Sequence, residues 1–229
     1  MSHPEKPMSQ GNGFTSIIFD FDGTLVDTLK DIADAMNSAL ATLGFKTYPV
    51  DDYRHFIGYG VDRLARRVVP EEYHTEKTLN ECLEIMAEEY RTRWHKNSRP
   101  FPGITELLKK LKGMGVKTAV LSNKDHIFTR QMAAALLSPH VFDCVQGALP
   151  SMPKKPDPAL ALRVAQTLGE EPSRIVLAGD TRTDMETACA AGMHPVGCLW
   201  GYRDEEELRK FGARGIVSAP GELARLFIP

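Results

Sequence analysis

An open, doubly wound parallel α/β sheet with an inserted all-helical block is the fold the sequence predicts, on three observations. From residue 99 onward, apolar runs alternate with stretches of helical spacing, the pattern of parallel strands separated by covering helices. Residues 29–98 carry helical spacing with no convincing strand. Three apolar runs end in polar groups, at Asp20, Ser122-Asn123 and Asp180, and open parallel sheets bind ligands beyond the carboxyl ends of their strands. The expected organisation is a disordered tail over 1–13, a Rossmann-like core from 14–28 and 99–229, and the helical block over 29–98. Leaving the sheet just after its first strand, the block hangs over the same edge and can close it from water as a lid.

The elements follow in chain order. Ser16 to Asp20 reads as a buried strand. Ile32, Ala33, Met36, Ala39, Leu40 and Leu43 recur at helical spacing until Gly44 stops them. Asp51 to Phe56, Val61 to Val69 and Thr75 to Lys96 are further helices, the last with Leu79, Leu83, Met86 and Tyr90 on one stripe. Pro100-Phe101-Pro102-Gly103 marks the boundary. Beyond it, strands are expected at Val116 to Leu121, Phe142 to Gln146, Arg174 to Ala178, Pro195 to Leu199 and Gly215 to Val217. Helices are expected at Ile104 to Lys112, Asp125 to Leu137, Asp157 to Leu168, Thr183 to Ala191, Glu205 to Phe211 and Gly221 to Leu226.

Composition narrows the partners. With 229 residues the chain can bury a core without staples. A formal net charge of −2 gives no reason to expect nucleic acid or an anionic membrane. The four cysteines, Cys82, Cys144, Cys189 and Cys198, form no CxxC pair, which favours free thiols in a reducing compartment. No apolar run approaches the roughly 20 residues of a membrane span. The polar residues 1–13 lack the apolar core of a signal peptide. A cytoplasmic monomer or homodimer is expected, with no nucleic-acid or membrane partner.

The groups converging on the sheet edge are Asp20, Asp22, Asp180, Asp184, Lys155, Thr24, Ser122 and Asn123. Four carboxylates at one edge repel each other unless a cation neutralises them. Hard oxygen ligands without a His/Cys cluster point to Mg²⁺. A lysine and a hydroxyl beside a metal suit a phosphoryl group, whose spread charge needs preorganised donors.

Asp20-Phe21-Asp22-Gly23-Thr24-Leu25-Val26-Asp27 resembles the first motif of the haloacid dehalogenase superfamily in its phosphatase form. Leu121-Ser122-Asn123 resembles the second, Lys155-Pro156-Asp157-Pro158 the third and Gly179-Asp180-Thr181-Arg182-Thr183-Asp184 the fourth. The helical insertion resembles the superfamily's small cap, and within the superfamily the chain is most similar to phosphoglycolate phosphatases. The resemblance implies a Mg²⁺-dependent phosphatase of a small phosphorylated metabolite. Asp20 would be the nucleophile, forming an aspartyl-phosphate, and Asp22 the general acid and base. Mg²⁺ would be held by the side chains of Asp20 and Asp180 and the backbone carbonyl of Asp22. Asp184 would support the metal waters or pair with Lys155. Ser122 and Lys155 would hold the phosphoryl oxygens, Thr24 would position Asp22, and Asn123 would assist at the phosphate.

Several residues carry plainer readings too. Ser122-Asn123 also reads as a strand-end turn, and Asp184 as an acid favoured by a helix N-terminus. Lys154 is the alternative to Lys155. Gly58-Tyr59-Gly60 is either a helix-linking turn or, from its place in the cap, a substrate loop, which makes Gly58 and Gly60 candidates. Arg63, His55 and Arg66 are candidate contacts for a substrate carboxylate, or solvated surface. Rival chemistries are a beta-phosphoglucomutase-like phosphomutase, a pyrophosphatase or nucleotidase, and a non-catalytic phosphate-binding regulatory protein. A dehalogenase has no need of the Asp20 and Asp22 pair, and Asp22 counts against a phosphonate-cleaving enzyme.

Overall fold

A computed structural model describes residues 13–137 and 141–228; apart from Gly13, the expected tail over 1–13 lies outside the described residues. The chain begins with β1 (Ser16–Phe19) and a two-residue strand β2 (Val26–Asp27). The helical block follows: α1 (Leu29–Thr42), α2 (Tyr53–Phe56), α3 (Val61–Val68) and α4 (Glu76–Arg93). A second short strand, β3 (Arg99–Pro100), leads into α5 (Ile104–Gly113), β4 (Lys117–Asp125), α6 (His126–Leu137) and β5 (Cys144–Ala148). Then come α7 (Ala159–Leu168), β6 (Ile175–Gly179), α8 (Arg182–Ala190), β7 (His194–Cys198), α9 (Glu205–Lys210) and β8 (Gly215–Val217).

The main sheet has six strands in the order β5-β4-β1-β6-β7-β8, all parallel. β1 lies at its centre, with Ile17 opposite Thr118 on one side and Val176 on the other. Both faces are covered, so these strands read as continuous apolar runs rather than alternating ones. The alternation survives in three dimensions. Ile17 and Phe19 join a core shared with α1, α5 and the block, while Ile18, Leu121 and Leu177 pack with Leu160, Val164 and Ala188 of α7 and α8.

Inside the block, Ile32, Met36 and Leu40 of α1 pack with Leu79, Cys82 and Met86 of α4 in the larger core. The Cys82 thiol lies 3.7 Å from the Met36 sulfur. Thr75 caps α4 by accepting the Thr78 N–H, the role that favours threonine at this position. Among the described residues, no helix is long and apolar enough to cross a membrane.

Three features depart from the sequence expectation. β4 does not stop at Leu121 but runs to Asp125, with a register shift between those two residues. Such irregularities re-aim side chains and recur beside active sites. The last segment, Pro220–Phe227, is 3-10 rather than α-helical. Finally, β2 and β3 pair antiparallel, Val26 with Pro100 and Asp27 with Arg99. This ribbon joins the two crossings between sheet and block, and it is too short to show as a pattern in sequence. Beside it, buried Asp31 of α1 accepts from the backbone N–H groups of Asn97 and Ser98 and from both their side chains. Burial opposes the charge of Asp31, but these hydrogen bonds outweigh it and hold its carboxyl below the usual range.

Candidate active site

Five segments meet at the carboxyl edge of the sheet. Asp20 follows β1 and is held in place by its own N–H, which donates to Ala178 at 2.9 Å. The chain then turns at Gly23, whose φ of 89° favours glycine. A Cβ there would also collide with the Asp180 carboxylate and the Tyr202 ring. Asp180 follows β6, and Asp184 stands in the first turn of α8. Lys155 comes from the loop between β5 and α7, and Ser122 and Asn123 from the irregular part of β4.

Lys155 is the hub. Its buried ammonium donates to the Leu121 carbonyl at 3.0 Å and to Asp184 Oδ1 at 2.6 Å, and pairs with Asp20 Oδ1 at 2.8 Å. Burial opposes its charge, but Asp184 and Asp20 outweigh that and push its pKa up. The lysine is therefore fixed as a cation. Lys154, its alternative, points elsewhere: it pairs with Asp62 of α3.

One lysine does not neutralise what surrounds it. Carboxylate oxygens of Asp20, Asp180 and Asp184, all buried, lie within 4.8 Å of one another. Burial and then Asp184 push the Asp20 pKa well above the ordinary carboxylate value, against the opposing pull of Lys155. Burial and Asp184 likewise raise Asp180 to about 7. This strain is what a bound divalent cation would relieve. The oxygen-only donor set, with no His or Cys in it, fits Mg²⁺. Both oxygens of Asp184 are already engaged, Oδ1 by Lys155 and Oδ2 by the Thr181 N–H and hydroxyl in a capping box. The Asp22 carboxylate is not part of this cluster.

Asp22 has its own partners, which the sequence reading missed. Thr28 donates to Asp22 Oδ1 at 2.7 Å, and the Lys124 ammonium reaches the same oxygen at 2.9 Å. Lys124 also lies 4.7 Å from the centre of the Tyr90 ring of α4. Burial opposes the charge of Lys124, but Asp22 outweighs it and raises the pKa. Its place directly after Ser122-Asn123 was the only available signal. Arg203 was missed as well. Its buried guanidinium donates to the carbonyls of Arg54, His55 and Ile57, which fastens the end of α2 to the loop after β7.

Two assignments change, and Arg63 takes the solvated of its two readings. Thr24 does not position Asp22: it is fully buried and donates to Asp180 Oδ1 at 2.7 Å, and Thr28 stands beside Asp22 instead. Asn123 lines the cavity, but its amide is spent on backbone. It donates to Gly58 O at 3.1 Å and Lys155 O at 3.0 Å and accepts from the Lys155 N–H at 2.8 Å. Arg63 lies outside the cavity lining, exposed, its guanidinium 5.1 Å from the centre of the Tyr59 ring. Gly58 and Gly60 do line the cavity. Gly58 takes a φ of 120° over the Thr181 side chain, which a Cβ would approach to 3.2 Å.

Above these groups lies a cavity of about 310 Å³. Its floor carries Asp20, Asp22, Ser122 and Asn123, and its walls come largely from α1, α3 and α4.

A buried carboxylate held by a fixed lysine and an oxygen-only acidic cluster thus meet at the edge of a parallel sheet. The chain matches the model of the haloacid dehalogenase-like hydrolases over residues 17–198 and belongs to that family. It is similar to a phosphoglycolate phosphatase of Aquifex aeolicus, with 35% identity over 211 residues that cover 92% of this chain and 95% of the relative. A phosphoglycolate phosphatase of Psychrobacter arcticus is 32% identical over 200 residues, covering 85% and 87%. Among solved structures, a haloacid dehalogenase-like family hydrolase from Streptococcus pneumoniae superposes with a TM-score of 0.85 at 25% identity, covering 94% of this chain and 99% of the other.

Proposed function

We propose that this hydrolase is a Mg²⁺-dependent phosphatase of a small phosphorylated metabolite, phosphoglycolate-like in being a compact phosphomonoester, acting through an aspartyl-phosphate. The observation that carries this is the contact set of Asp20. It is bonded to Lys155, lies within 4.8 Å of Asp180 and Asp184 oxygens, and borders the cavity that also holds Asp22 and Ser122.

The residues divide the work. Asp20 Oδ attacks phosphorus, and the ester oxygen leaves with its electron pair and takes a proton from Asp22. Asp22 then removes a proton from the water that cleaves the acyl phosphate. Thr28 and Lys124 hold the Asp22 carboxyl at the cavity edge through both steps. Ser122 presents a hydroxyl to the phosphoryl oxygens, and Lys155, held by Leu121 and Asp184, presents positive charge and can donate to one of them by giving up its bond to Asp20. Asp20 and Asp180, with the Asp22 backbone carbonyl, would hold Mg²⁺, and Asp184 would support it while fixing Lys155. Bound there, Mg²⁺ supplies charge neutralisation between the Asp20 carboxylate and the incoming phosphate. A cytoplasmic location and a monomer or homodimer complete the proposal.

The test is phosphate release from a panel of phosphorylated metabolites, with Mg²⁺ and with chelator. Hydrolysis that chelator abolishes is expected. Isomerisation of a sugar phosphate without phosphate release would instead identify a phosphomutase, and binding without turnover a regulatory protein.

A further inference from the structure

The walls of the cavity have a chemistry that the phosphoryl-handling residues do not require. Leu64, Leu83, Met86 and Tyr90 of the helical block line it together with Phe128 of the sheet domain, whose ring meets that of Tyr90 edge-on. Among the described lining residues, Lys124 is the single cation, and its ammonium is committed to Asp22 at 2.9 Å. The other charged groups away from the floor are carboxylates. Asp62 is paired with Lys154, and Asp125 accepts the N–H groups of Ile127 and Phe128. Arg63, which would have met a substrate carboxylate, lies against Tyr59 outside this lining.

An ester whose phosphoryl group sits at Asp20 must lay its leaving group against these walls. A carboxylate on that group would give up part of its hydration against these walls, and the nearest cations, Lys124 and Lys154, are already paired with Asp22 and Asp62, which is unfavourable. An alkyl or aryl group would instead gain the burial of apolar surface. A volume of about 310 Å³ is at the small end of ligand pockets, which start near about 300 Å³.

We propose that the substrate is a phosphomonoester of an apolar alcohol, alkyl or aryl, with no second charge, and that the walls select against an anionic leaving group such as glycolate. This rests on the reading that Asp20 attacks a phosphoester. The phosphoryl group passes to Asp20 and the released alcohol takes the Asp22 proton.

The experiment compares kcat/KM for benzyl phosphate, n-propyl phosphate and phosphoglycolate in Mg²⁺. All three are alkyl esters, so an activated leaving group favours none of them. Benzyl phosphate is expected to exceed phosphoglycolate by on the order of 100-fold. Ala87 of α4 lines the cavity yet is exposed, so Ala87→Lys adds a cation to the wall without disturbing a core. It is expected to narrow that gap by about tenfold, through a gain on phosphoglycolate. A wild-type preference for phosphoglycolate overturns the proposal, as does an unchanged ratio in Ala87→Lys or a loss of phosphoglycolate turnover alone in Arg63→Ala. Each of these outcomes leaves the phosphatase reading standing. Failure on all three esters with phosphate release from other members of the metabolite panel overturns this proposal alone, and failure across the whole panel removes the phosphatase reading with it.

Discussion

The two sides of the cavity are built on opposite principles. On the sheet side, nearly every polar atom is held more than once: Lys155 by three partners, Asp184 by Lys155 and Thr181, Asn123 by Gly58 and Lys155. On the helical side the walls are largely side chains such as Leu64, Leu83 and Met86, which pack without direction. Groups that must meet a reacting phosphorus at fixed distance cannot tolerate loose support. A wall that only accommodates a leaving group can. The difference predicts that substitutions on the sheet side remove the reaction, and that those on the helical side redistribute substrates.

The strongest attempt to break this division is Asp20→Asn, expected to lower kcat by about four orders of magnitude or more under single-turnover conditions. A loss under tenfold would mean that Asp20 is not the nucleophile. Next is Lys155→Met, which leaves the buried carboxylates of Asp20 and Asp184 without their cation. It should cost about 3–5 kcal/mol in denaturant unfolding without metal, and millimolar Mg²⁺ should return part of it. A variant as stable as wild type without metal would show that the cluster is not under charge strain.

A pH series sharpens the same point. Asp180 has its folded pKa raised from 3.8 to about 7, so the folded chain binds more protons than the unfolded chain between those values. Stability from this group is therefore full below about pH 4 and lost as pH rises through about 7. The melting temperature of the metal-free protein should carry this downward contribution over that window. The increment given by Mg²⁺ should grow over the same window, at about 2–4 °C per kcal/mol. In Asp180→Asn both effects should shrink, as calorimetry would show. Smallest is Thr28→Val, which removes one hydrogen bond to Asp22. About 1 kcal/mol is expected, read as a roughly fivefold fall in kcat with KM little changed.

What sequence could show depended on how local each feature is. The alternation of strands and helices and the all-helical run over 29–98 are patterns of period, and the sheet of six parallel strands and helices α1 to α4 follow them. The groups Asp20, Asp180, Asp184 and Lys155 stand in short ordered strings, and the fold brings them together. Partnerships across the chain were not legible. Thr24 and Thr28 sit four residues apart with the same hydroxyl, and only the turn at Gly23 decides that one faces Asp180 and the other Asp22. Asn123 looked like a phosphate contact because nothing in its neighbourhood shows that Gly58 and Lys155 will claim its amide. Lys124 could not be told from a solvated lysine until the bulge in β4 turned it onto Asp22. Arg203 lies about 150 positions from the carbonyls it binds.

The small ribbon of β2 and β3 has a consequence for how such a chain can change. Val26 pairs with Pro100 and Asp27 with Arg99, so the peptide that leaves the sheet lies beside the peptide that returns to it. The helices strung between them form a cassette with a single splice point. A tight turn joining residue 27 to residue 99 would excise it and leave the strand order of the main sheet intact, and another sequence could be grafted at the same seam. Selection acting on the cassette alone can therefore reshape the cavity walls, while the cluster of Asp20, Lys155, Asp180 and Asp184 is inherited unchanged.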